Sequence, residues 1–165
     1  MPDLTPPALL CDGTPCPQAL LTLPFETTRG QASLSDFLGH RLVLYFYPKD
    51  DTPGCTVEAK DFSELHANFL KSDTQVVGVS RDSLRAHERF IQKYGLSLTL
   101  IADTHETLCQ AFDVLKNKNM YGKTVRGVER STFLFDANGL LLRQWRGVKS
   151  AGHAAAVYEA TRELR

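Results

Sequence analysis

The chain has 165 residues, of which 42% are hydrophobic and 23% charged, so one domain over residues 1–165 can bury its own core without disulfides or a structural metal. Nineteen basic residues balance nineteen acidic ones, which disfavours nucleic acid and anionic membrane surfaces as partners. No apolar run approaches the roughly 20 residues that span a bilayer and no signal-type segment opens the sequence, so we expect a soluble, cytoplasmic protein.

The first half of the chain alternates strand and helix patterns. Residues 1–24 are rich in proline and glycine and predict a loop with a weak edge hairpin. The apolar run RLVLYFYP, residues 41–48, predicts a central strand buried on both faces. A helix capped by Thr52 should follow and run to about Leu70, before a second buried strand over 74–80. The predicted apolar face of that helix consists of Val57, Phe62, Leu65 and Phe69.

The alternation continues into the second half. A helix is predicted over residues 83–95, where Ser83 begins it and Gly95 ends it. A short strand over 97–103 and a small helix around residues 105–112 come next. The segment KNKNMYGKTVRGVE, residues 116–129, shows no periodicity and predicts a long loop that forms a functional rim.

The end of the chain predicts a hairpin and a final helix. Asn138-Gly139 lies between two apolar runs and favours a tight turn, since both residues accept positive φ, between strands near 131–136 and 140–145. The alanine-rich segment 151–164 predicts a helix. Together these elements indicate an α/β fold: a thioredoxin-like mixed central sheet with helices on both faces and an N-terminal extension.

Four cysteines are present, and no two of them form a C-x-x-C pair. They are Cys11, Cys16, Cys55 and Cys109. Four cysteines are too few for a secreted disulfide scaffold of this length, so we expect reduced thiols. The missing C-x-x-C pair also disfavours a disulfide reductase of thioredoxin type.

Cys55 lies where a thiolate is favoured. It falls in the first turn of a predicted helix, where unpaired backbone N–H groups and the helix macrodipole stabilise an anion. Pro48 ends the preceding strand and Pro53-Gly54 brings backbone close to the sulfur, which predicts a small, rigid pocket. A buried structural cysteine is the ordinary alternative, but it does not require the surrounding P-x-x-x-T-x-x-C pattern.

The segment PKDDTPGCTVE resembles the active-site motif of peroxiredoxins, in the T-P-G-C-T-x-E form of the bacterioferritin-comigratory, or Q-type, subgroup. RLVLYFYPKD, KNMYG, ERSTFLFDANG and WRGVKSAGHAAAV resemble further pieces of that subgroup in the same order. The resemblance implies a monomeric thioredoxin-fold peroxidase without cofactor or metal, acting in antioxidant defence and redox homeostasis. Its substrate would be hydrogen peroxide or an organic hydroperoxide, and its reductant thioredoxin, glutaredoxin or a small thiol.

The resemblance assigns a role to each motif residue. Cys55 would attack the O–O bond and become a sulfenic acid, releasing water or an alcohol. Thr52 would hydrogen-bond the peroxide or the sulfur, and Pro48 would shield the sulfenic acid from water. Arg130, in VERSTFLF, would stabilise the thiolate and the charge that develops across the O–O bond. An arginine in an ordinary salt bridge is the alternative.

Glu58 follows Cys55 by three residues. A carboxylate facing the sulfur would oppose thiolate formation, so we expect Glu58 to orient an arginine. A solvent-exposed helix carboxylate is the alternative. Met120 and Tyr121 would, from the resemblance, form an apolar wall near the cysteine. The five histidines show no metal-binding spacing and are expected on the surface or on helix faces.

The sequence departs from the family at the second cysteine. The resemblance places a resolving cysteine five residues after the first, where this chain has Lys60, or on the following helix, where it has Ile91. Cys109, Cys16 and Cys11 remain candidates for an atypical two-cysteine cycle, which needs two Cα atoms within about 7 Å. We predict instead a one-cysteine cycle in which an external thiol reduces the sulfenic acid.

A non-enzymatic function is the remaining alternative. A redox sensor or holdase would oxidise Cys55 once and signal through a partner. This alternative predicts stoichiometric oxidation without turnover.

Overall fold

A computed structural model of the chain describes residues 12–164 and is built on a mixed seven-stranded sheet. The strands are β1 Phe25–Thr27, β2 Gly30–Ala32, β3 Arg41–Phe46, β4 Thr74–Ser80, β5 Thr99–Ala102, β6 Leu115–Met120, β7 Lys123–Val128, β8 Ser131–Phe135 and β9 Leu141–Arg146. The sheet has the order β2-β1-β5-β4-β3-β8-β9, and β6 and β7 form a separate ribbon. β3 pairs parallel to β4 and antiparallel to β8, so its predicted central position is confirmed.

Helices cover both faces of the sheet, as predicted. They are α1 Gln18–Leu21, α2 Pro53–Lys71, α3 Leu84–Tyr94, α4 Thr107–Ala111 and α5 His153–Glu163. Since β3, β4 and β5 are parallel and adjacent in this order, right-handed crossovers put α2 and α3 on the same face. Within residues 12–164, no helix combines the length and the apolar character needed to cross a membrane.

Alternation along β3 divides the core into two clusters. Leu44 and Phe46 belong to a cluster that packs against α1 and α4, which we call the α4 side. Val43 and Tyr45 belong to a cluster with α2, α3 and α5, which we call the α2 side. Because both faces of β3 are covered, its sequence is a continuous apolar run rather than an alternating one.

The predicted loop at residues 116–129 is instead mostly a hairpin, the ribbon of β6 and β7. Its turn is Tyr121-Gly122, where both residues have positive φ, 54° and 76°, as two-residue hairpin turns require. Most residues of the ribbon are exposed on both faces, so no buried face imposes an alternating apolar pattern. The prediction was wrong because that pattern was the signal it relied on.

Two other turns differ from their predictions. Within residues 12–24 the chain forms the short helix α1, and the edge hairpin is β1 with β2, just beyond that segment. The turn between β8 and β9 is longer than a two-residue turn, and only Gly139 of the predicted pair has positive φ. The Asp136 carboxylate accepts from the backbone N–H groups of Asn138 and Leu140, both at 2.9 Å, which stabilises the wider turn.

Candidate active site

Cys55 is the third residue of α2, next to the carboxyl end of β3, and only 2% of it is exposed. Pro53 occupies the first helical position, where its missing N–H removes no helix hydrogen bond. Thr52 is the N-cap residue, but its predicted side-chain cap is absent, and its hydroxyl donates to the carbonyl of Lys49 at 2.7 Å. The hydroxyl oxygen keeps lone pairs that accept hydrogen bonds. Pro48, half-buried, lies in the same β3–α2 connection.

Arg130 connects Cys55 to Glu58. It lies between β7 and β8, and its Nη2 donates to Cys55 Sγ at 3.5 Å while its Nη1 donates to Glu58 Oε1 at 2.6 Å. The arginine is 75 residues from the cysteine in sequence. The fold therefore brings together three of the predicted site residues, and one guanidinium contacts both the thiol and the carboxylate.

Gly54 provides the space in which this contact forms. A Cβ at residue 54 would lie 3.1 Å from Arg130 Nη2 and 3.4 Å from Ser150 Oγ. The φ angle of Gly54 is not positive, so close approach rather than backbone conformation favours glycine here.

Glu58 is completely buried, and its neighbour Val57 is 45% exposed. The predicted apolar face of α2 was wrong at Val57, because Glu58 is the residue that faces the core there. Its pairing with Arg130 compensates for the cost of burying a carboxylate. Among the described residues, Glu58 Oε2 has no hydrogen-bond partner. Burial raises the pKa of Glu58 to about 7, although the charge of Arg130 opposes the rise.

Because of this buried carboxyl, we predict that the protein loses stability relative to its Glu58→Gln variant as pH rises from 5 to 8. Folded Glu58 binds its proton more tightly than unfolded Glu58 does, so its contribution is complete below about 4.5 and is lost as pH passes through about 7. The shift corresponds to a change on the order of 3 kcal/mol in the free energy of unfolding. Urea unfolding at pH 5 and pH 8 measures it, with Glu58→Gln as the non-titrating control. An equal loss in the glutamine variant would contradict the assignment.

A buried hydrogen-bond network fixes the loop between β3 and α2. The carboxylate of Asp50 accepts from the Tyr47 hydroxyl at 2.6 Å and lies 2.7 Å from His87 Nδ1. His87 Nε2 lies 2.8 Å from the carbonyl of Ile101, and the backbone N–H of Asp50 donates to Asp82 at 3.0 Å. Both ring nitrogens of His87 therefore face oxygen acceptors. The network ties the loop to the β4–α3 connection, α3 and β5, and no pattern in the sequence predicted it.

Asp50, Asp82 and His87 are close enough together to suggest a cation site, with ligand atoms within 4.8 Å of one another. The carboxylates of Asp50 and Asp82 accept from the hydroxyls of Tyr47 and Ser80, and both ring nitrogens of His87 face oxygen acceptors. We therefore interpret the cluster as a hydrogen-bond network.

His153 is a second buried histidine, on a helix as one of the two expected placements has it, but inside the core rather than on the surface. It is the first residue of α5, and its Nε2 lies 2.7 Å from Thr132 Oγ1. Burial, with a smaller contribution from the charge of Arg130, lowers the pKa of His153 to about 4. The imidazole is therefore neutral at pH 7 and adds no positive charge beside the site.

The other described cysteines lie on the opposite face of the sheet from Cys55. Cys16 and Cys109 are buried in the α4-side cluster, whereas Cys55 belongs to the α2-side cluster. Burial raises the pKa of Cys16 to about 12, and burial together with the nearby Asp103 raises the pKa of Cys109. Cys11, the third candidate, lies outside the described residues.

The structure describes both positions at which the resemblance places a second cysteine. Lys60 is exposed on α2, and Ile91 on α3 packs against the α2-side cluster.

Met120 and Tyr121, the residues of the expected apolar wall, lie at the tip of the ribbon, 50% and 99% exposed. Since 99% of Tyr121 is exposed, its side chain packs against nothing, so the expectation was wrong for Tyr121.

Comparisons with known proteins give matches over most of the chain. The model of the AhpC/TSA family matches residues 13–144. Peroxiredoxin Bcp of Xanthomonas campestris is 51% identical over 145 residues, 87% of this chain and 91% of that protein. Peroxiredoxin Bcp of Bacillus subtilis is 46% identical over 131 residues, 79% of this chain and 83% of that protein.

Solved structures give the same result. One, described as giving insight into the alkyl peroxide reduction activity of the Xanthomonas campestris bacterioferritin comigratory protein, is 49% identical with a TM-score of 0.85. The match covers 89% of this chain and 94% of the chain in that structure. The likeness therefore extends over nearly the whole of both chains.

Proposed function

Because this chain is a peroxiredoxin of the AhpC/TSA family, we propose that it reduces hydrogen peroxide and organic hydroperoxides through Cys55. The observation that carries the proposal is the contact of one guanidinium, that of Arg130, with both Cys55 Sγ and Glu58. Reduction of alkyl peroxides by the similar Xanthomonas campestris protein supports the substrate class.

The proposed reaction is a displacement at oxygen. The thiolate of Cys55 attacks one peroxide oxygen, an S–O bond forms and the O–O bond breaks. The sulfur is oxidised to a sulfenic acid, and the other oxygen leaves with a proton as water or an alcohol. Arg130 donates to the sulfur beforehand, and its fixed charge stabilises the negative charge that spreads over the two oxygens.

Thr52 and Pro48 have complementary roles in the proposal. Since the hydroxyl hydrogen of Thr52 is engaged by Lys49, the hydroxyl oxygen is suited to accept from the peroxide O–H. Proline has no backbone N–H, so Pro48 offers water no donor beside the sulfenic acid.

For the second half of the cycle we propose an external thiol. Cys16 and Cys109 are separated from Cys55 by the sheet, and a disulfide requires Cα atoms within about 7 Å. The incoming thiol would attack the sulfenic sulfur, release water and form a mixed disulfide, which a second thiol reduces. Thioredoxin, glutaredoxin or a small thiol would serve as the reductant. A two-cysteine cycle through Cys11 stays the alternative.

Trapping the sulfenic acid of Cys55 tests both the reaction with peroxide and the external-thiol cycle. After one equivalent of peroxide without reductant, we expect dimedone to label Cys55, equally in the wild type and in the double variant Cys16→Ser/Cys109→Ser. Peptide mass mapping reads out both the label and any disulfide. Quantitative formation of a disulfide between Cys55 and another cysteine would contradict the external-thiol cycle but not peroxide reduction.

Turnover separates the enzyme from a redox sensor or holdase. An enzyme consumes many equivalents of peroxide when a reductant is supplied, whereas a sensor consumes one. A role in antioxidant defence, a cytoplasmic location and a monomeric state remain predictions from the sequence.

A further inference from the structure

The ribbon of β6 and β7 has two chemically different faces. Residues that pair directly, and alternate residues along a strand, share a face. Lys118 pairs with Val125 and Met120 with Lys123. With Lys116, these residues form what we call the outer face, which combines three lysines with two apolar side chains.

The opposite face of the ribbon is attached to the body of the protein. Val128 lies in the α4-side core, and Leu115 packs against it. Arg126 on the same face pairs with Glu106 at 2.6 Å. These contacts direct the outer face towards solvent, where Met120 is 50% and Val125 44% exposed.

The outer face carries no acidic residue, since its remaining position is Gly127. Lys116 pairs with Asp113 at 3.3 Å, but Lys118 and Lys123 have no ion-pair partner between residues 12 and 164. Because the whole chain has no net charge, this basic and apolar surface is a local feature.

The ribbon is connected along the chain to Arg130, the residue that contacts the reactive cysteine. β7 ends two residues before Arg130, whose guanidinium contacts Cys55. In an extended chain Val125 lies about 17 Å from Arg130, at roughly 3.3 Å per residue. A protein interface of about 800 Å² per partner has a radius of about 16 Å. One partner surface is therefore large enough to extend from the outer face to Arg130.

We propose that the outer face docks the protein that reduces oxidised Cys55, and that this partner is acidic and apolar around its reactive thiol. The proposal rests on the external-thiol cycle. Lys118 and Lys123 attract the acidic surface during approach, and Met120 and Val125 contact its apolar residues. The partner's thiol sulfur then bonds to the sulfenic sulfur, the S–O bond breaks, and water leaves with the thiol proton.

Two cysteine peptides provide defined probes. They have equal length and equal apolar content, and carry either glutamates or lysines beside the cysteine. With the Cys55 sulfenic acid formed beforehand, we expect the glutamate peptide to react about tenfold faster at low salt. Its advantage should fall as ionic strength shortens the screening length. Dithiothreitol is the reference reductant without charge.

Matched variants locate the effect. Lys118→Gln/Lys123→Gln on the outer face and Asn117→Glu/Asn119→Glu on the opposite face change the net charge equally. We expect the first to remove the preference for the glutamate peptide and the second to keep it, with equal dithiothreitol and peroxide rates in both. Preference retained in the lysine variant, or lost equally in both, would overturn the proposal. An intramolecular disulfide formed without any peptide would overturn the external-thiol cycle, and docking with it.

Discussion

Replacing Cys55 with serine is expected to reduce peroxide consumption to the rate of buffer without protein. A serine hydroxyl stays protonated at neutral pH and is a weak nucleophile without an adjacent base. Cys16 and Cys109 do not take over, because both are buried thiols with raised pKa values and are therefore protonated. The measurement is peroxide loss with thioredoxin, glutaredoxin or dithiothreitol as reductant.

The double variant Cys16→Ser/Cys109→Ser is the control for that result. It keeps Cys55 with its arginine and should turn over at the wild-type rate. Continued turnover in Cys55→Ser would show that another group reacts with peroxide. Loss of turnover in the double variant, with the fold intact by circular dichroism, would show that the α4 side takes part in the cycle.

Replacing Arg130 with alanine is expected to slow the attack of Cys55 on peroxide by about 10²-fold to 10³-fold, the usual effect of removing one preorganised donor that stabilises developing charge. The substitution removes the donor 3.5 Å from Cys55 Sγ and leaves the cysteine itself in place. Stopped-flow measurement of sulfenic acid formation over a range of peroxide concentrations gives the second-order rate constant directly.

Loss of the arginine also leaves Glu58 buried without its partner, which can destabilise the protein. The double variant Arg130→Ala/Glu58→Gln avoids a buried, unpaired carboxylate and should be as slow as the single variant. Arg130→Lys keeps a charge but not a planar fork that reaches two groups, and we expect an intermediate rate. A wild-type rate constant in the double variant would show that another group stabilises the transition state.

The sequence predicted the parts of the fold whose local signals agree with their environment. The continuous apolar run of β3 and the Ser83 and Gly95 ends of α3 are examples. The ribbon was missed because most of its residues face water. Val57 and Glu58 were misassigned because pairing with a distant arginine offsets the cost of burying the carboxylate on α2.

The candidate site likewise contains residues that the sequence predicted and residues that it did not. Cys55, Thr52 and Pro48 belong to one contiguous motif, and Arg130 was found through the family resemblance. Periodicity carries no information on pairs such as Asp50 with His87, which are 37 residues apart and meet only in the folded chain.

Gly54 shows that a site can depend on a residue that has no Cβ atom. Its hydrogen leaves space for the guanidinium that contacts Cys55, and a methyl group there would lie 3.1 Å from Arg130 Nη2. An alanine would therefore push the guanidinium by a few tenths of an ångström while every reactive group stayed present. A chain could then carry the complete set of motif side chains and still be a poor catalyst, so an inventory of functional groups is not sufficient to recognise an active family member.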